Sequence, residues 1–145
     1  MDKEEKINHW LCMSRYDIES AEYMLSAGRY VYVVFMCQQA IEKVMKALFI
    51  KVYDEEPIRT HNVNFLFHKI NEEGTFSKEI IKEYNEIWEE YFVEILSFYT
   101  EVRYVDYKVK IEDIVDAEHA HRVFEKGKEA IIWIQKLLNL KSTGS

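Results

Sequence analysis

The polar side chains that could do chemistry stand in two rows inside an apolar stretch. Gln38, Glu42 and Lys46 recur at i, i+4 and i+8, and Gln39 with Lys43 forms the row beside them. Spacing by four puts each row on one face of a helix. Arg103 adds a planar fork of donors suited to phosphate. Lys43 and Lys46 could supply further positive charge, with Glu42 to orient them, and His61 could contact a nucleotide. Such a set would hold a nucleotide or an RNA phosphate. A plainer account stands beside it: Glu42 and Lys46 form an ordinary i, i+4 pair, Arg103 caps a helix end, and His61 is a capping or core histidine.

Other chemistries find less support. His119 and His121 are two apart, so on a helix they diverge by about 200° and cannot share an ion. Glu118 and His121 make one Glu-x-x-His, but no second such unit occurs, and no metal or cofactor is expected. There is no GxSxG, no GxGxxG and no GxxxxGKS/T. Acidic pairs such as Glu72/Glu73 and Glu89/Glu90 read as solvated faces in a chain with 26 acids.

The stretch that must position the polar rows is Tyr30 to Ile50. It is too long for a strand and has no Gly or Pro, so it reads as a helix. Val33, Cys37, Ala40, Ile41, Val44 and Leu48 follow one stripe, while Val34, Phe35, Met36, Met45 and Phe49 lie elsewhere on its circumference. A helix apolar nearly all round is expected to be buried by several neighbours or by a second subunit. Polar groups within it then need partners, facing a cleft, another molecule or each other.

The remaining elements follow from periodicity and punctuation. A first helix spans Lys3 to Ala27 and stops at Gly28; the link to the second is so short that the two must be antiparallel neighbours. The second ends near Tyr53. Thr60 or Asn62 caps a short third helix, which Gly74 breaks, and Ser77 caps a fourth that fades near Thr100. Glu101 to Ile111 reads as an irregular loop, and a fifth helix runs from about Glu112 to Leu140. Residues 1–140 form one domain and 141–145 a tail. The fold class is all-α, an up-and-down bundle of four to five helices. The apolar excess of the second helix and the aromatic row of the fourth (Tyr84, Trp88, Tyr91) predict a homodimer.

Composition sets limits. The 145 residues are 48% hydrophobic with 1 Pro and 4 Gly, which favours long helices over a turn-rich β fold. A net charge of −7 excludes nucleic-acid binding by bulk attraction, so any such binding needs a local basic site. Cys12 and Cys37 both fall in predicted helices and read as buried, reduced thiols. No run reaches the roughly 18 apolar residues of a membrane span, and no signal peptide precedes the first helix, so a cytoplasmic protein is expected.

The run QQAIEKVMKAL, taken with Thr60-His61-Asn62 and Arg103-Tyr104, resembles the HEPN family of helical domains over most of the chain. Gln38, Gln39, Ala40, Glu42, Lys43, Lys46, Ala47 and Leu48 match the family's pattern on its second helix, with Val34 in place of a small residue and Val105 in place of a proline. The resemblance implies a helical bundle, usually dimeric, and frequent pairing with a minimal nucleotidyltransferase as toxin and antitoxin. It also implies, for many members, a metal-independent ribonuclease using Arg followed by four to six residues and then His. Here those positions hold Lys108, Val109 and Lys110, so the expectation leans to binding through Arg103, Lys43 and Lys46. A residual ribonuclease using Arg103 with Tyr104, Asp106 or His61 is the catalytic alternative, and a purely structural interaction protein the third.

Overall fold

The structure, a computed structural model, describes residues 1–103 and 108–140, with Arg103 described through its backbone alone. Helix α1, Lys3–Ser26, starts at Asp2, whose carboxylate accepts the Glu5 N–H at 2.9 Å. Glu4 and Glu5 in its first turn suit the positive end of the helix. Gly28, at φ 73°, reverses the chain, as its lack of a Cβ allows.

Helix α2, Tyr30–Tyr53, returns against α1 and is the centre of the molecule. From Val44 to Ile50 every side chain is buried, and Ile41, Val44 and Met45 have no exposed surface. Each such side chain contributes about 1.5–3 kcal/mol relative to exposure. The helices α1, α3, α5 and α6 all pack on α2. The apolar circumference that suggested a second subunit is therefore covered by the chain's own helices, and so is the aromatic row of the fourth predicted helix. Those two surfaces give no reason for a dimer.

Helix α3, Val63–Ile70, is capped by Asn62, which accepts from Phe65 N–H; Thr60 instead accepts from Asn62 N–H. Ser77 caps α4, Lys78–Glu83, which runs through a π-turn, Tyr84–Trp88, directly into α5, Glu89–Arg103. The fourth predicted helix is thus one continuous rod that reaches Arg103 rather than fading at Thr100. Tyr84 enters the core at its π-turn, stacked on Phe67 with centroids 3.6 Å apart, and donates its hydroxyl to Asn64. Burial holds the Tyr84 hydroxyl neutral, far above its ordinary range.

A 3₁₀ turn, Ile111–Asp113, precedes α6, Ala117–Leu138. The last helix starts five residues later than the pattern predicts because Asp116 accepts the His119 N–H at 2.8 Å and sets the boundary there. Helix α6 comes close to α2 and α5 at Gly127: a Cβ there would lie 3.0 Å from Tyr91 Oη and 3.5 Å from Cys37 Sγ. Cys37 is buried as expected, but Cys12 is exposed, because its position on α1 faces away from α2. Among the described residues there is no strand, and no helix is long and apolar enough to cross a membrane.

Candidate functional site

Three polar side chains lie inside the most buried helix. Gln38 is 0% exposed, Glu42 6% and Lys46 9%. The cost of burying them is met by a chain of contacts. Lys46 Nζ donates to Glu42 Oε2 at 3.0 Å, and the other oxygen, Oε1, lies 2.7 Å from His61 Nδ1. Gln38 Nε2 donates to the His61 carbonyl at 2.5 Å, which fixes the loop that carries the imidazole. Lys46 also lies 5.4 Å from the centroid of the Trp10 ring on α1, a cation–π contact in a desolvated setting.

His61 is the exposed end of this chain, its side chain 53% accessible. An ionised carboxylate only accepts, so Nδ1 is the donor toward Glu42. In the neutral ring Nε2 is then an acceptor on a half-exposed side chain, a group fit for general-base chemistry or for receiving a hydrogen bond. The ring lies 5.2 Å from the Tyr99 ring, which stacks on Phe35 at 4.7 Å. Tyr99 belongs to α5, and the backbone of Arg103 is four residues on, one turn further along the same helix. The site therefore draws on α1, α2, the segment before α3, and the end of α5.

The predicted site residues whose side chains are described each have a definite place. Glu42, Lys46 and His61 form the network. Lys43 turns to α1, where Nζ pairs with Asp17 Oδ2 at 2.5 Å, both side chains largely buried. Gln39 is half-buried in the same row as Lys43 and makes no side-chain hydrogen bond among the described residues. Both lysines are thus matched by acids: Lys46 by the i, i+4 partner that the plainer account expects, and Lys43 by a residue of another helix. The Arg103 side chain, Tyr104 and Asp106 lie outside the described residues.

Sequence reasoning missed Trp10, Asp17, Phe35 and Tyr99 as site residues. Asp17 carried a readable signal in its spacing, because Ser14, Asp17 and Ala21 stand three and four apart on one face of α1, and the structure buries all three. Ser14 donates to the Ala40 carbonyl at 2.6 Å, so that face is a polar seam against α2. Gln38 Oε1 is buried and finds no donor among the described residues. A second polar group, outside this site, joins α5 to α6: Arg122 Nη2 donates to Glu94 at 2.6 Å, and His119 packs on Phe98 and approaches the same carboxylate. His119 is therefore not the solvated residue that its position near a helix start suggests. The Arg122 hydrogen bond holds the Glu94 carboxyl below its ordinary range.

A family model described as "HEPN domain" matches residues 7–137. Two crystal structures share the fold. ST0689, an archaeal HEPN homologue, superposes with a TM-score of 0.68 at 18% identity, over 92% of this chain and 98% of that one. TT1696 from Thermus thermophilus superposes with a TM-score of 0.69 at 15% identity, over 90% and 97%. Comparison with curated proteins finds no relative.

Proposed function

The chain belongs to the HEPN domain family, and from that premise we propose that it is a nucleotide-binding module whose ligand is a nucleotide or a short RNA. The observation that carries this reading is the buried Gln38–Glu42–Lys46 row ending at a half-exposed His61. Packing alone does not call for it, since apolar residues at these positions would fill the space without the desolvation cost. The row orients one imidazole beside the Tyr99 ring. The Tyr99 ring is buried, 7% exposed and stacked on Phe35, so it backs the imidazole, and the half-exposed imidazole itself offers the face and edge for an unstacked base. Arg103, one turn beyond Tyr99, is the group we assign to phosphate. Lys43 and Lys46 are spent on Asp17 and Glu42, so in this reading they hold the scaffold and Gln39 lies beside it.

Isothermal titration of the purified protein with ATP, GTP and a short single-stranded RNA tests it. Binding to at least one is expected, weakened about tenfold or more by His61→Ala and by Arg103→Ala. Absence of heat from all three removes the proposal.

A second reading keeps a ribonuclease, on the strength of the His61–Glu42 hydrogen bond, which is the geometry of an oriented general base. It expects RNA cleavage that Glu42→Gln slows and His61→Ala abolishes; RNA left intact by the wild type rejects it. Pairing with a minimal nucleotidyltransferase, or with a second copy, would use an outer surface. The 73% and 76% exposed Tyr16 and Tyr23 on α1 favour that face for it. Copurification of the two proteins, lost in Tyr16→Ser/Tyr23→Ser, is the corresponding observation.

A further inference from the structure

A cleft of about 810 Å³ opens where the start of α1, the end of α2, the loop before α4 and the end of α6 meet. It shares no residue with the His61 site. Its walls are mainly apolar, with Thr75, Ser77 and Asn139 at the lining: Leu48 and Leu137 belong to the core, and Val52 of α2, Phe76 before α4 and Ile80 of α4 line it. Its volume falls within the roughly 300–1,000 Å³ of small-molecule sites.

The charge at this cleft is one-sided. Lys3 and Lys51 line it, and no acidic residue does. A solvated groove on this chain would be expected to show both signs, or mostly acids, because the chain has 26 acids against 19 bases. Lys3 and Lys51 have no carboxylate partner among the described residues, as is also true of Lys78, Lys82 and Lys136; what sets these two apart is that both line one cleft with no acid in it. Apolar walls with two unmatched ammonium groups select a ligand that has an apolar body and an anionic head. A wholly polar anion gains nothing from Leu48, Phe76 and Ile80, and a neutral hydrocarbon leaves the lysines unused.

We infer that this cleft binds a small amphipathic anion, an alkyl chain ending in a carboxylate or phosphate, with the chain between α2, α4 and α6 and the head between Lys3 and Lys51. This ligand is distinct from the nucleotide of the His61 site.

The test is amide chemical-shift mapping with decanoate, kept below its micelle concentration, on the full chain. Saturable shifts are expected at Val52, Phe76 and Ile80, with His61 unmoved. Octanoate should bind roughly tenfold more weakly, for the two methylenes lost. Lys3→Glu/Lys51→Glu should weaken decanoate about tenfold and leave decanol unchanged. Both lysines are at the surface, so circular dichroism of this variant should match the wild type. Decyl phosphate in a parallel titration shows which head is preferred.

Three outcomes overturn the inference. One is an absence of saturable shifts with either decyl anion. The second is equal binding of decyltrimethylammonium. The third is a change of oligomeric state in Lys3→Glu/Lys51→Glu without any decanoate binding by the wild type, which would make the cleft an interface between copies.

Discussion

Lys46 and Glu42 face each other inside the fold with 11% and 8% of their side chains exposed. Removing one member leaves the other charge buried and unmatched, whereas removing both removes the desolvation cost with the attraction. Lys46→Met is therefore expected to destabilise by about 3 kcal/mol, and Glu42→Met/Lys46→Met by clearly less, read by urea denaturation. The double variant also leaves His61 without its oriented partner. If it folds well and no longer binds nucleotide, the network serves the ligand; if binding survives, it serves only the scaffold. The two cysteines give a second test at this scale. Burial pushes the Cys37 thiol up to about 12, while Cys12 is exposed. The native protein should take up one equivalent of a thiol reagent, at Cys12, and a second only on unfolding, as mass spectrometry would show. The folded Cys37 holds its proton more tightly than the unfolded one, so its contribution to stability falls as pH rises from the ordinary thiol range toward 12.

At the scale of elements, the close approach of α6 to α2 and α5 depends on Gly127. A Cβ there meets Tyr91 Oη at 3.0 Å, and that hydroxyl is held by donation to the Val123 carbonyl at 2.7 Å on a ring that is 1% exposed. The neighbour cannot give easily, so overpacking outweighs the helix propensity that alanine adds. Gly127→Ala should cost about 1–2 kcal/mol net in thermal unfolding, and less in a Tyr91→Phe background, where the clashing oxygen is gone. The α1–α2 hairpin was readable from Gly28 and the short link after it, and the central burial of α2 from the apolar residues around its circumference. Periodicity reports which face is buried and carries no register between helices. It could not pair Lys43 with Asp17 or bring Tyr99 to His61, because these contacts join residues far apart in sequence. Local competition misled it too. Asp116 capped the last helix later than the expected start near Glu112, and the first residues of the expected loop, Glu101 to Arg103, stayed helical as the end of α5.

Over the whole molecule, charge works against the ligand that the site is proposed to hold. The chain carries −7, and the two lysines nearest the site are each matched by a carboxylate. A protein that neutralises Z phosphates of a single strand releases counterions, so its log affinity falls against log salt with a slope near −0.7Z. If Arg103 alone meets phosphate, a short RNA should show a slope of about −0.7, or flatter where added salt also screens the acidic surface. Arg103→Ala should bring that slope close to zero and leave the contribution of base contacts. A slope near −2 would mean that about three phosphates are engaged, which one arginine cannot supply. It would point instead to cations beyond Arg103, or to a basic surface completed by another chain. Fluorescence anisotropy of a labelled RNA across a salt series separates these cases, because the slope counts the phosphates and the intercept reports everything that stacking and the imidazole add.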